Sequence, residues 1–314
     1  MFTSAASKKA LAIASILCIT ALWGISFVMM KNSLDTLSPL WFLGCRFSLA
    51  SLLMALVNWK KLRSVGRKEL REGFYIGLPL ACGYATQTMG LSLTTASNSA
   101  FITGTYVVFI PLIAWVFTRK LQRRQLVIAF LACLGLAALS LDQQLRVNVG
   151  DGLVLLSAFC YAVHFLVLDH YTKAYDSLLI SGLQIFAAAL LLLLAALIFE
   201  PLPTAANFSP DVLRSLVFTA AFSTCLGFLV QTAAQKVLAP AQASILFTSE
   251  SVFGALSGVI FLQERFIPRQ LLGAALLVGC MIASVVEPKA AIDAAPNKAL
   301  SSTAPHTDDS RVRR

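Results

Sequence analysis

The chain has 314 residues, 58% of them hydrophobic and only 13% charged, with a formal net charge of +10. Soluble globular chains average about 45–50% apolar and about 25% charged, so an ordinary soluble domain is excluded and a membrane protein is indicated. The positive balance suggests a polyanionic partner only until the cations are placed along the chain.

The apolar residues come in ten blocks, at about 10–30, 39–59, 73–92, 99–118, 126–141, 150–168, 178–199, 215–234, 241–262 and 270–286. A helix crosses the roughly 30 Å hydrocarbon core in about 20 residues, and a spanning segment must satisfy its own backbone as a helix or a closed barrel. The blocks are rich in Leu and Ala and lack the alternation of barrel strands. An all-α membrane protein with ten transmembrane helices is therefore expected. Lys8 and Lys9 precede the first block as in a signal peptide, but the run to Met30 is too long and no A-x-A site closes it. Residues 1–9 are read as a cytoplasmic N-terminus and the first block as a retained span.

The second block carries Arg46 within it, and the cluster "KKLRSVGRKELR" (Lys60–Arg71) follows. The third holds "GYATQT" (Gly83–Thr88) with Gln87. The short uncharged stretch "TTASNSA" (Thr94–Ala100) leads into the fourth, which contains Thr103, Tyr106 and Pro111. "TTASNSA" reads as a tight turn or as a gate, and Pro111 as a static bend or a hinge. Arg119, Lys120, Arg123 and Arg124 come next. The sixth block holds Tyr161 and His164, the seventh Gln184, the eighth "GFLVQT" (Gly227–Thr232) with Gln231, and the ninth "ILFTSESVFGAL" (Ile245–Leu256) with Ser249 and Glu250.

Alternating the spans from a cytoplasmic N-terminus puts 19 of the 25 Lys and Arg on one side. The opposite side holds Lys31, Arg146, Arg214, Arg265 and Arg269. This bias places both termini in the cytoplasm of a bacterial inner membrane. The basic excess reports orientation, and no nucleic-acid partner is expected. The seven cysteines all fall within apolar blocks without a C-x-x-C pair, and read as small buried hydrophobes. Pro288–Arg314 is rich in Ala, Ser, Thr, Pro and Asp and reads as a disordered cytoplasmic tail.

The chain also repeats itself. A shift of 138 residues lays Leu17 on Leu155, Phe27 on Phe165 and Gly44 on Gly182. A shift of 144 lays "GYATQT" on "GFLVQT", and 145 lays "RQL" (Arg124–Leu126) on "RQL" (Arg269–Leu271). The extra residues fit in the loop "EPLPTAANFSPD" (Glu200–Asp211) and near the ends of the fourth and ninth spans. The expected units are 10–142 and 143–287, each of five spans. Five is odd, so the second unit enters the membrane from the other side: an inverted repeat, whose substrate sites lie near the midplane where the units meet.

"ALWGISFVMMK" (Ala21–Lys31), "TTASNSAFITGTYVVFIPLIAWVF" (Thr94–Phe117) and "SESVFGALSGVIFLQER" (Ser249–Arg265) resemble EamA-type members of the drug/metabolite transporter superfamily over about residues 8–287. The resemblance implies a ten-helix carrier of two inverted five-helix repeats that moves small metabolites, often outward and often amino acids. Two positions depart from that pattern: Ser251 follows Glu250 where relatives often have Pro, and Lys120 stands where they tend to have an acid.

Ionisable residues at bilayer depth are functional candidates by default. Glu250 lies ten residues after Pro240, about 15 Å along a helix and so near the midplane. Gly254 and Gly258 share its face and invite close helix approach. Glu250 reads as a protonatable group or ligand in the transport path, as a structural partner, or as a residue near an interface. Arg46 reads as a cavity cation for an anionic substrate group, as a partner of Glu250, or as a snorkelling side chain. The repeat sets Arg46 opposite Gln184, Ser26 opposite His164, Trp23 opposite Tyr161 and Tyr106 opposite Glu250. His164, Tyr106, Gln87, Gln231, Gln184, Thr103, Ser249 and Trp23 are each candidates for the pathway or for helix packing.

No phosphate-binding G-x-x-x-x-G-K-[ST], no H-E-x-x-H and no G-x-S-x-G occurs, so neither an enzyme nor a cofactor is expected. The reading is a secondary carrier for a small molecule, with protons as a candidate coupling ion and lipids as surroundings. A sensor, an assembly factor or a passive channel is the rival class.

Overall fold

A computed structural model describes residues 5–94, 96–119, 122–140, 148–253, 256 and 267–286. Among them there are helices and no strand. In chain order they are α1 (Ala5–Ser33), α2 (Pro39–Leu62), α3 (Arg67–Leu93), α4 (Ala96–Gly104), α5 (Tyr106–Thr118), α6 (Arg123–Ser140), α7 (Val149–Thr172), α8 (Ser177–Phe199), α9 (Pro210–Phe218), a π-turn (Thr219–Leu226), α10 (Gly227–Ala234), α11 (Pro240–Phe247) and α12 (Pro268–Val285). Helix resumes over 249–253. Gly254, Gly258 and the C-terminal tail lie outside the described residues, as does Thr95 in "TTASNSA".

The helix starts obey local chemistry. Pro39, Pro210, Pro240 and Pro268 open α2, α9, α11 and α12, where a missing N–H costs nothing and φ is already helical. Asn148 and Asp151 form a reciprocal capping box at α7. The Asp176 carboxylate accepts the Leu178 and Leu179 amides of α8.

Seven helices among the described residues are long and apolar enough to cross a membrane: Ala6–Ser26, Pro39–Leu62, Ser99–Thr118, Val149–Thr172, Ser177–Phe199, Pro210–Ala234 and Pro268–Val285. The expected ten thus finds direct support for seven, and the other three have physical reasons to fall short. The apolar run of α3 is diluted by Gly, Thr and Gln after five charged residues at its start. α6 is 18 residues long and opens on two arginines. The ninth block runs out of the described residues after 253.

The most extensive helix contacts join α3 to α7, α2 to α8, α12 to α6 and α3 to α8. Each crosses from the first half of the chain to the second, so the two halves share one core. Glycines allow these approaches. A Cβ on Gly90 would lie 2.7 Å from the Gly150 carbonyl oxygen, and one on Gly273 2.7 Å from that of Gly135. Polar ties also cross between halves. Glu200 at the end of α8 accepts the Ser38 hydroxyl and the Leu40 and Trp41 amides at the start of α2. Thr94 donates to Asp151 at 2.6 Å, and Lys61 meets Asp176 at 2.6 Å. That last contact holds the Asp176 carboxyl below its usual range, chiefly through the Lys61 hydrogen bond.

The cysteines depart from expectation. All seven are free thiols, but Cys280 alone is fully buried, while Cys18 and Cys82 are exposed on the outside of the bundle. A small hydrophobe is as well solvated by lipid tails as by protein, so an apolar helix gains nothing by turning it inward.

Candidate functional site

α4 and α5 form one rod broken at Thr105, and α11 and 249–253 form another broken at Thr248. The two threonines share φ −64° and ψ −12°. Each hydroxyl donates to the carbonyl three residues back, Ile102 or Ile245, at 2.6 Å. Matching the breaks sets Thr105 opposite Thr248, hence Tyr106 opposite Ser249. The sequence spacing sets Tyr106 opposite Glu250, one residue out, because that spacing is fixed on the preceding helices.

The residues beside these breaks border a cavity between the halves, with about 700 Å³ of empty space counting its open mouth. Its walls come from α1, α2, α3, the α4–α5 rod, α7, the π-turn with α10, and the α11 rod. Of the ten sequence candidates, Glu250, Arg46, His164, Tyr106, Gln87, Gln231, Trp23 and Thr103 line it. Gln184 and Ser249 stand behind the wall. Gln184 Oε1 accepts from His164 Nε2 at 2.8 Å, and Gln184 Nε2 donates to Thr232 Oγ1 at 3.2 Å. The Ser249 hydroxyl meets that of Thr20 at 2.7 Å.

Two seats hold the aromatic walls, one in each half. Gly83 lies so close to the Tyr161 ring that a Cβ would be 2.7 Å from it, and Gly227 stands in the same relation to Trp23. Gly83 and Gly227 are repeat mates, as are Trp23 and Tyr161, so each half receives the other's ring. Tyr161 donates to Gln87 Oε1 at 2.9 Å, and Gln87 donates to Thr103 at 3.0 Å. Trp23 Nε1 donates to the Ser223 carbonyl at 2.9 Å. Ring contacts continue round the cavity: Tyr84 on Tyr161 edge-on at 5.5 Å, Trp23 stacked on Phe247 at 5.3 Å, and Tyr106 stacked on Phe165 at 5.5 Å. Such pairs hold flat apolar faces in fixed orientation.

Arg46 is 4% exposed. Its Nε donates to Thr224 Oγ1 at 2.8 Å, and its Cζ lies 5.3 Å from the Tyr84 ring centroid and 5.8 Å from that of Phe47, within cation–π range. Glu250 faces the same cavity. No ion pair joins it to Arg46 among the described residues, and none of them hydrogen-bonds its carboxylate. Both charges lie within electrostatic reach of the Tyr84 and Tyr161 hydroxyls. One cavity thus holds a guanidinium and a carboxyl group, with Tyr84 and Tyr161 also on its lining. His164, 1% exposed, is satisfied by Gln184. Among the described residues no cluster of His, Cys, Asp and Glu is arranged to hold a metal ion.

Sequence reasoning missed Tyr84, Phe228, Phe247, Ser223 and Thr224. Tyr84 and Phe228 carried a signal, since each comes directly after the shared glycine of "GYATQT" and "GFLVQT". Thr224 carried none, because only the wider π-turn brings it round to Arg46.

The fold and cavity define a multi-pass integral membrane protein, helical among the described residues, built from two similar halves around a central cavity. The model of the EamA-like transporter family matches residues 10–141 and again 148–285, so this chain belongs to the EamA-like transporter family. It is 31% identical over 267 residues to an uncharacterized transporter of Archaeoglobus fulgidus, covering 84% of this chain and 82% of that one. It is 26% identical over 286 residues to a protein of Escherichia coli named "Probable amino-acid metabolite efflux pump", covering 83% and 90%. A crystal structure 14% identical in sequence superposes with a TM-score of 0.72 over 88% of this chain and 96% of that one, a likeness of fold. The family and these names are those of transporters, not enzymes.

Proposed function

We propose that this protein is a secondary carrier of the bacterial inner membrane that moves a small polar metabolite, an amino acid or a related compound, outward. Ten spans in two inverted halves carry the central cavity from one side of the membrane to the other by alternating access. The basic end of the bundle and both termini face the cytoplasm. Glu250 and Arg46 form the two electrostatic poles of the path, with Trp23, Tyr106, Gln87, Gln231, Thr103 and His164 on its walls. Gln184 and Ser249 brace them from behind.

The observation that carries this reading is a guanidinium and a carboxyl group in one cavity between the halves, with no ion pair joining them among the described residues. Buried charges left without a partner are costly, and a bound solute that offers both charges removes that cost. The E. coli relative's name points the same way. Glu250 is also the group available to exchange a proton between the two sides.

Purified protein in liposomes preloaded with a mixture of amino acids tests the reading. A carrier exchanges labelled amino acid for internal amino acid, saturably, and the exchange falls about 100-fold with Glu250→Gln. Flux without saturation or counterflow would make it a channel. No flux of any amino acid would return it to the sensor or assembly-factor class.

A further inference from the structure

The π-turn Thr219–Leu226 is unlike any other described part of the bundle. It inserts one residue relative to an α-helix, which rotates the helix beyond it by roughly 100°. π-turns of this kind are frequent at functional sites. Two of its groups are held from the other half of the chain. The Ser223 carbonyl accepts the Trp23 indole N–H, and the Thr224 hydroxyl accepts Arg46 Nε. In α-helical register Thr224 would be turned away from α2, and Arg46 Nε would lose its hydrogen-bond acceptor.

We propose that Thr224 is a positioning residue for cargo selection. By fixing Nε on the cavity wall, it aims the outer edge of the Arg46 guanidinium into the cavity as a preformed subsite for the carboxylate of the cargo. The geometry supports this in three ways. Arg46 is always charged and has five N–H donors in a rigid fork. Thr224 takes Nε, Nη1 has a 4.0 Å contact with the Met30 sulfur, and the Tyr84 hydroxyl is a further neighbour of the guanidinium. The guanidinium carbon lies 5.3 Å from the Tyr84 ring centroid, a cation–π contact that restricts its movement. A carboxylate matches the remaining edge with two parallel hydrogen bonds. This proposal rests on the carrier reading but makes a separate claim about one hydroxyl.

The experiment compares wild type, Thr224→Val and Thr224→Ser against a panel of L-amino acids, each with its carboxamide and its decarboxylated amine. Exchange in liposomes gives KM and kcat, and ligand-induced shifts in melting temperature of the detergent-purified protein give binding. In wild type the carboxylates should bind at least 10-fold more tightly than their carboxamides. Thr224→Val should raise KM for carboxylates about 10-fold, with kcat within twofold and carboxamides unaffected. Thr224→Ser, which keeps the hydroxyl, should restore the wild-type pattern. A purely structural hydroxyl would instead lower the melting temperature and weaken all three ligand classes alike. Exchange by wild type without preference for carboxylates, or a Thr224→Val variant that keeps the preference, overturns the subsite and leaves the carrier reading standing. If wild type exchanges nothing, the carrier reading falls, and the melting shifts still decide the subsite: no carboxylate preference there overturns it.

Discussion

The two halves distort the same helix by different means. The spacing that aligns Gly83 with Gly227 sets Pro79, inside α3, opposite Ser223, inside the π-turn. Proline breaks the hydrogen-bond ladder by lacking an N–H, and the π-turn breaks it by adding a residue. The charges also differ. Arg46 of the first half has Gln184 as its mate, which is neutral and fully satisfied by His164 and Thr232. Glu250 of the second half stands opposite Val107 once the threonine breaks are matched. The repeated scaffold therefore keeps the packing in duplicate, with glycine seats, threonine breaks and an interrupted third helix. The chemistry is not duplicated, since each half contributes one charge of opposite sign.

Removing one pole should break this comparison most severely. Arg46→Gln and Glu250→Gln should each lower exchange about 100-fold, close to 2.7 kcal/mol at 1.36 kcal/mol per tenfold, while expression and the melting temperature hold. Glu250→Gln should also abolish any pH dependence of flux, measured at pH 6 to 8. Survival of that dependence would remove Glu250 as the proton carrier.

The packing side of the comparison predicts smaller effects on stability. Gly90→Ala drives a Cβ to 2.7 Å from the backbone oxygen of Gly150, which cannot move without parting α3 from α7. It should cost about 1–3 kcal/mol, as over-packing does. Gly152→Ala, with nothing within 4 Å, should be neutral, and denaturant titration in detergent compares the two. His164→Ala should cost about 1–2 kcal/mol by orphaning the buried Gln184 amide. A double-mutant cycle with Gln184→Ala should recover most of that cost as coupling.

The smallest effect should come from Lys61→Ala at the basic end. Both partners of the Lys61–Asp176 bridge are about half exposed, so screening limits it to about 0.5 kcal/mol. The Asp176 carboxyl titrates below its ordinary range when folded. Its contribution is therefore present at neutral pH and is lost as pH falls through that lowered value. The stability difference between Lys61→Ala and wild type should shrink on acidification and in high salt.

Much of this molecule is legible in its sequence where the physics is local. Block lengths anticipated the seven apolar spans among the described residues, and "GYATQT" with "GFLVQT" anticipated the two successive family matches. Eight of the ten candidate polar residues meet in one cavity, because buried polar groups on apolar helices have few other places to go. Contacts that depend on helix phase were not legible. Nothing in "TAAFSTCL" (Thr219–Leu226) announces a π-turn, so neither Thr224 nor its hold on Arg46 could be anticipated. The one-residue shift between Tyr106 and Ser249 escaped for the same reason, since threonine breaks reset the phase of a rod without marking the sequence.

The exchanged rings carry a consequence for ancestry. Trp23 fills the notch at Gly227, and Tyr161 fills the one at Gly83. A polypeptide of half this length would carry one notch and one protruding ring, with no way to join them within itself. Two such copies would complete each other, so a gene that now encodes one chain is consistent with a forerunner that worked as a homodimer. Two copies held in one chain are free to differ, and a lone arginine and a lone glutamate are what such freedom permits.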